Sequence, residues 1–174
     1  MLIGILSDTH GQHRIAAEAL RFFDTRGVEY VIHCGDVGGS AVLDHLVGRQ
    51  CSFVWGNMDA WRPGLRGYLE TVGLPAPPKP PLRLELDGKV FLVFHGHEAG
   101  FREALRAGEA DYVLHGHTHA ARDERVGRVR VINPGALHRA RPKTVATLDI
   151  TADAVTFYAA DEKSGTFVPW TPPH

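Results

Sequence analysis

Leu2-Ile3-Gly4-Ile5-Leu6-Ser7-Asp8-Thr9-His10-Gly11 begins as a continuous apolar run and ends on a turn that carries a carboxylate and an imidazole. An uninterrupted apolar run this short is the pattern of a strand covered on both faces, as in parallel sheets. Downstream, Ile15, Ala16, Ala19, Leu20 and Phe23 recur at helical spacing. Tyr30 to His33 is a second strand-like run and Cys51 to Trp55 a third. Between them Val42, Leu43, Leu46 and Val47 mark the apolar face of another helix, with Ser40 as its candidate N-cap. This βαβαβ alternation predicts an α/β fold with parallel strands and right-handed crossovers.

From Ala60 to Pro81 the pattern changes. Leu65, Leu69 and Val72 predict about two turns of helix. Pro75, Pro77, Pro78, Pro80 and Pro81 then forbid regular structure and stiffen the chain. Connections this long are usually lids, binding loops or linkers. Leu82 to Leu86 alternates cleanly, Asp87-Gly88 signals a hairpin turn, and Lys89 to Phe94 is expected to pair back. A helix around Phe101, Ala104 and Leu105 precedes a strand from Ala110 to Leu114. Val126 to Val131, Val145 to Ile150 and Val155 to Phe157 read as successive strands with little helix between them. Residues from about 165 to 174 are proline-rich and expected to be irregular, with His174 exposed to solvent. No repeat or linker divides the chain, so residues 1–174 are read as a single domain.

The 174 residues are 44% hydrophobic and 22% charged with a formal net charge of -1, the values of an ordinary soluble globular protein. A dedicated nucleic-acid binder is usually basic, so this balance carries no nucleic-acid signal. No apolar run approaches a membrane span. Cys34 and Cys51 lie in strand-like runs and read as buried free thiols, not a disulfide framework. With no leader signature at Met1 to Gly4, the expected compartment is the cytoplasm. Assembly into a homo-oligomer is compatible with this composition. The oddity is eleven histidines.

Five apolar runs each end within a few residues of a potential metal ligand. In chain order these are Asp8 and His10, Asp36, Asn57, His95, then His117 and His119. Ligand crevices in α/β folds lie outside the carboxyl ends of the strands, where five strand ends in one sheet region would converge. Imidazole nitrogens with carboxylate and amide oxygens, and no thiolate, suit Mn, Fe, Co, Ni or Zn. Seven ligands exceed the need of one ion with an open position and match two ions sharing a carboxylate. Such ions, about 3.5–4 Å apart, acidify a shared water and clamp a phosphoryl group. Two divalent cations against two aspartates leave the site positive, so an anionic substrate is expected. Taken singly, each residue also fits a bland loop or turn position; the order and placement carry the reading.

Ser-Asp-Thr-His-Gly at 7–11, Gly-Asp at 35–36, Gly-Asn-Met-Asp at 56–59, His-Gly-His at 95–97, Gly-His-Thr-His at 116–119 and Asn-Pro-Gly at 133–135 resemble the calcineurin-like metallophosphoesterases, in particular the small bacterial and archaeal phosphodiesterase branch. The resemblance runs from Leu2 to about Phe157. It implies two facing mixed β-sheets flanked by helices, a four-layer α/β/β/α sandwich. It also implies that Asp8, His10 and His119 hold one ion, Asn57, His95 and His117 the other, with Asp36 as bridge. The implied reaction is in-line attack of metal-bound hydroxide on a small or nucleotide-like phosphodiester. Mn²⁺ is the expected metal, with Ni²⁺, Fe²⁺, Co²⁺ and Zn²⁺ as alternatives.

The chain departs from the family pattern in places. Met58 stands where the phosphoprotein phosphatase branch has a histidine after the motif asparagine, which argues against a protein phosphatase. Asp59 and His97 are then the candidates to protonate the leaving alkoxide, against a supporting role for each. Gly39 replaces a second acidic residue of longer motifs. The segment 60–81 looks longer than in the smallest relatives and is expected to rim the site, with Arg62 or Arg66 meeting a substrate phosphate. Rival readings are a phosphomonoesterase or nucleotidase on the same site, and a non-catalytic metal-binding scaffold like the retromer subunit that resembles this family. A scaffold relative is expected to have lost a ligand histidine; here His10 and His119 both stand.

Overall fold

The strand-like runs of the sequence form two sheets that face each other in a computed structural model describing residues 1–161 and 163–173. The first sheet has the order β11-β10-β9-β1-β2-β3. Its parallel half is β1 (Leu2–Leu6), β2 (Tyr30–His33) and β3 (Cys51–Phe53). β9 (Thr144–Asp149) pairs antiparallel to β1, and β10 (Ala154–Asp161) and β11 (Thr166–Trp170) follow, each antiparallel to the strand before it. The second sheet has the order β4-β5-β6-β8-β7. In it β5 (Lys89–Val93), β6 (Tyr112–Leu114) and β8 (Val129–Asn133) are parallel, edged by β4 (Leu82–Leu86) and β7 (Arg122–Val126).

The period-two alternation of side chains explains the layers. Ile3, Ile5, Ile32, Phe91, Val93, Tyr112 and Leu114 point between the sheets and form one core. The intervening Leu6 and Val31 face outward onto helices α1 (His13–Thr25), α2 (Ser40–Asp44) and α3 (Gly64–Val72), where Phe23, Leu43 and Leu69 complete a second core. On the far side, Phe94, Val113 and Val131 pack under α4 (Phe101–Ala107). Hence the central strands are apolar throughout, and the layers are α/β/β/α. Gly4 marks the closest approach of α1, since a Cβ there would lie 2.6 Å from the Phe23 ring.

Three local expectations differ. Ser40 is the first residue of α2 and makes no side-chain cap; the chain enters through Gly38, in a left-handed conformation, and extended Gly39. That helix stops at Asp44, which leaves Val47 exposed instead of on an apolar face. The expected irregular tail contains β11, because Phe167 is buried against Phe22 and Tyr158 and anchors the strand. Proline at 169 is tolerated since β11 is an edge strand. The expectation for His174 lies outside the described residues. The Asp87-Gly88 turn has positive φ at both residues, as a tight hairpin requires. Among the described residues, no helix is long and apolar enough to cross a membrane.

Candidate metal centre and active site

At the carboxyl ends of β1, β2, β3, β5 and β6 the apolar runs give way to the seven candidate ligands, which come from both sheets instead of one. Five of the seven have left-handed backbone: Asp8, His10, Asp36, His117 and His119 all have φ between 45° and 68°. Non-glycine residues rarely adopt this conformation, and it costs of order 1–3 kcal/mol each. Strain of this kind persists where the surrounding structure imposes it, and here it turns side chains from two sheets toward one point.

One group is Asp8, His10 and His119, another Asp8, Asp36 and His95; in each, the candidate donor atoms lie within 4.8 Å of one another. Asp36 Oδ2 is 3.5 Å from His10 Nε2 and 3.4 Å from His95 Nε2. One carboxylate oxygen therefore faces both imidazoles. Asp8 Oδ1 lies 3.2 Å from His119 Nε2, 3.8 Å from His10 Nε2 and 3.9 Å from His95 Nε2. Asn57 Oδ1 completes the other side, 3.1 Å from His95 Nε2 and 3.2 Å from His117 Nδ1.

The surroundings aim these atoms. Asp8 Oδ2 accepts from the Ser7 hydroxyl at 2.6 Å and the His117 amide at 3.0 Å, which turns Oδ1 inward. His95 Nδ1 lies 2.8 Å from the Cys34 carbonyl. An N–H donated there leaves the Nε2 lone pair toward the centre, as ligation needs. Asp36 Oδ1 accepts the Met58 amide at 2.8 Å. The motif glycines make room: a Cβ on Gly116 would lie 1.9 Å from Ser7 Oγ, and one on Gly56 would lie 2.0 Å from Asp36 Oδ1.

Two buried atoms reveal what the cluster is built to hold. Asp8 Oδ1 and His10 Nε2 have no hydrogen-bond partner among the described residues. Leaving a buried polar atom unpartnered costs about 1–3 kcal/mol, more for a charged one. Both atoms point among other lone-pair donors, an arrangement that suits divalent cations. Burial lowers the pKa of His10 in spite of Asp36 and Asp8, and burial likewise lowers that of His117, so both favour the neutral form that ligates.

His97 and Asp59 separate. The half-exposed His97 ring lies 5.5 Å from that of His95 and 6.0 Å from that of His117, at the rim beside Asn57. Asp59 is buried, and its carboxylate accepts from the amides of Val37, Gly38 and Gly56 at 2.8–3.0 Å. Burial pushes its pKa up while these amides pull it back. Of the two readings of Asp59, proton donor or supporting residue, this engagement favours the supporting one: the carboxylate ties the Asp36 loop to the Asn57 loop.

Other residues were given no role at the site from the sequence. Asn133 is fully buried and donates to the Gly116 carbonyl at 2.9 Å and Thr118 Oγ1 at 3.0 Å, bracing the loop of His117 and His119. The signal was present, since the Val129–Ile132 run also ends on a polar residue. Glu98 accepts from the His95 and Gly96 amides at 2.8 and 2.7 Å. The His138 ring lies 5.0 Å from the His10 ring, tilted against it at 48°.

His33 is a fully buried core histidine. Its Nδ1 accepts the Gly35 amide at 3.1 Å, and Nε2 meets Thr9 Oγ1 at 2.9 Å, whose hydroxyl continues to the Val37 carbonyl. Burial holds its pKa down to about 3. A depressed imidazole pKa stabilises the fold above the unfolded value near 6.5 and loses that contribution as pH falls toward 3. Between pH 6.5 and 5 the loss from this residue is about 2 kcal/mol. Urea unfolding of chelated protein at the two pH values is expected to show it, with a shallower pH slope in His33→Gln. An identical slope in both proteins would exclude His33 as the source.

Comparison with known proteins agrees with this fold and places it in a family. A family model described as the calcineurin-like phosphoesterase superfamily domain matches residues 1–153. A phosphodiesterase of Methanocaldococcus jannaschii is 35% identical over 138 residues, covering 78% of this chain and 83% of the relative. The solved structure of an archaeal phosphodiesterase superposes with a TM-score of 0.81 at 31% identity, over 91% of this chain and 99% of the other. A zinc complex of Vps29 from Entamoeba histolytica shares the fold at a TM-score of 0.64 and 24% identity, over 98% of this chain and 97% of the other.

Proposed function

The chain belongs to the calcineurin-like phosphoesterase superfamily, and from that premise we propose that this phosphoesterase hydrolyses a small or nucleotide-like phosphodiester with two divalent cations. The observation that carries the reading is Asp36 Oδ2, placed 3.5 and 3.4 Å from the Nε2 atoms of His10 and His95, so that one carboxylate serves two groups of donors. Asp8, His10 and His119 would hold one cation and Asn57, His95 and His117 the other. Imidazole, carboxylate and amide donors without thiolate favour Mn²⁺, with Ni²⁺, Fe²⁺, Co²⁺ and Zn²⁺ also suited. Such cations supply Lewis acidity toward phosphoryl oxygens and a water acidic enough to attack near neutral pH.

The chain's own groups supply the rest. Ser7, Asn133 and the Cys34 carbonyl fix the orientation of Asp8, the 116–119 loop and His95. His97 stands at the rim beside Asn57 and is the side chain we assign to protonating a departing alkoxide.

The deciding experiment strips the purified protein with a chelator, reloads it with each metal and assays bis(4-nitrophenyl) phosphate and 4-nitrophenyl phosphate. Turnover of the diester in preference to the monoester, greatest with Mn²⁺, is expected. Preference for the monoester would point to a monoesterase or nucleotidase, and inactivity with every metal and ester to a scaffold. In the same assay His97→Ala is expected to slow a diester with an alkyl leaving group about 100-fold and the nitrophenyl ester far less. Equal slowing of both would remove His97 as the proton donor.

A further inference from the structure

Beside Asn57 a cavity of about 260 Å³ opens between α3, the proline segment and the His97–Glu98 loop. It is continuous with the site, because Asn57 and His97 line it. Its volume falls just under the ~300 Å³ lower bound of ordinary small-molecule pockets, which suits one arm of a substrate. Trp55 and Leu65 supply one wall and Pro77 and Pro78 another, flat apolar surfaces that favour a planar ring.

Basic side chains outnumber acidic ones along this cavity, three to two. Arg62, Arg66 and Lys79 line it and form no ion pair among the described residues; the Arg66 guanidinium lies 5.9 Å from the Trp55 ring centroid. The two acids that line it have their oxygens engaged by backbone amides, Asp59 by three and Glu98 by two. Neither acid bonds directly to the cations, whose N–H donors are left to meet an anion beyond the phosphate being cleaved. Guanidinium groups bind phosphate with charge-assisted, often bidentate hydrogen bonds.

Resting on the phosphodiesterase reading, we infer that this cavity binds one ester arm of the substrate, and that this arm is a nucleoside bearing a second, terminal phosphate. The base lies against Trp55 and the prolines, and the terminal phosphate meets Arg62 and Arg66. Segment 60–81 is on this reading a specificity element.

The test compares, in the Mn²⁺-loaded protein, a dinucleotide with a terminal phosphate and the same dinucleotide without it, with bis(4-nitrophenyl) phosphate as a reference ester. Wild type is expected to favour the phosphorylated dinucleotide about tenfold in kcat/KM, chiefly through KM. The double variant Arg62→Ala/Arg66→Ala is expected to bring that ratio close to one. The ratio is taken within each protein, so a general loss of turnover cancels. Equal rates on the two dinucleotides, with the reference ester hydrolysed, overturn the pocket assignment and leave the phosphodiesterase reading standing. Failure to hydrolyse any ester with any metal overturns that reading instead. Calorimetry with adenosine 3′,5′-bisphosphate then decides the pocket alone: binding about tenfold weaker in the double variant supports it, and equal affinity in both proteins sinks it.

Discussion

Asp36→Asn is expected to lower kcat by about 10³-fold, equivalent to ~4 kcal/mol of lost transition-state stabilisation, and to reduce the metal content of the purified protein. The amide keeps the size of the carboxylate, so Oδ1 can still accept from Met58 and the loop need not move. What changes is the atom facing His10 and His95. A neutral N–H₂ there cannot ligate, and it removes one of two carboxylates from a site proposed to hold four positive charges. Burial alone would raise the Asp36 pKa; His95, through its imidazole, and the Met58 amide hold it below the usual carboxylate range, so the anion is the resident form. Asp36→Glu is not expected to rescue activity, because Gly56 packs so closely that even a Cβ on it would come within 2.0 Å of Asp36 Oδ1. Kinetics on bis(4-nitrophenyl) phosphate with elemental analysis of bound metal would check this. An asparagine variant that retains two ions and most of its activity would remove Asp36 from the centre.

The parallel strands were legible because their physics is local. Leu2 to Leu6 carries no polar side chain, and Ile3 and Ile5 go to one core while Leu6 goes to the other. The candidate ligands were legible because strand ends are where side chains can converge, and each run ended on one. Their division between two sheets was beyond periodicity, since pairing is a long-range property; only the family resemblance implied it. The role of Asp59 stayed open between two readings for a related reason. An aspartate in a Gly-Asn-Met-Asp turn looks the same whether it donates a proton or accepts three amides, and the partners at Val37 and Gly38 come from a distant turn. Strand β11 was missed because prolines at 169, 172 and 173 outweigh local strand propensity, whereas the burial of Phe167 against Phe22 is tertiary. Arg62 and Arg66 could be suspected of rimming the site, but only the fold shows Trp55 beside them and the acids lining the cavity engaged by backbone amides.

His119→Ala is expected to reduce bound metal from about two ions per chain to about one and to lower kcat/KM about 10²–10³-fold, while His117→Ala loses the other ion. Two histidines at i and i+2 on a regular strand would point the same way and could share an ion. Here both residues, at φ 58° and 68°, have left-handed backbone, and the regular alternation is broken. Their rings accordingly go to opposite partners: His119 Nε2 stands 3.2 Å from Asp8 Oδ1, and His117 Nδ1 stands 3.2 Å from Asn57 Oδ1. Asn133 holds the peptide between them through the Gly116 carbonyl and Thr118, so truncating one ring need not release the other. The His117 amide also continues to support Asp8 when its ring is removed, which separates loss of a ligand from loss of the loop. Titration of each chelated variant with Mn²⁺, followed by calorimetry and elemental analysis, would show one remaining class of site in each and a different residual affinity. Loss of both ions in step, in either variant, would mean that the segment serves a single shared centre and that the assignment of His117 and His119 to different ions is wrong.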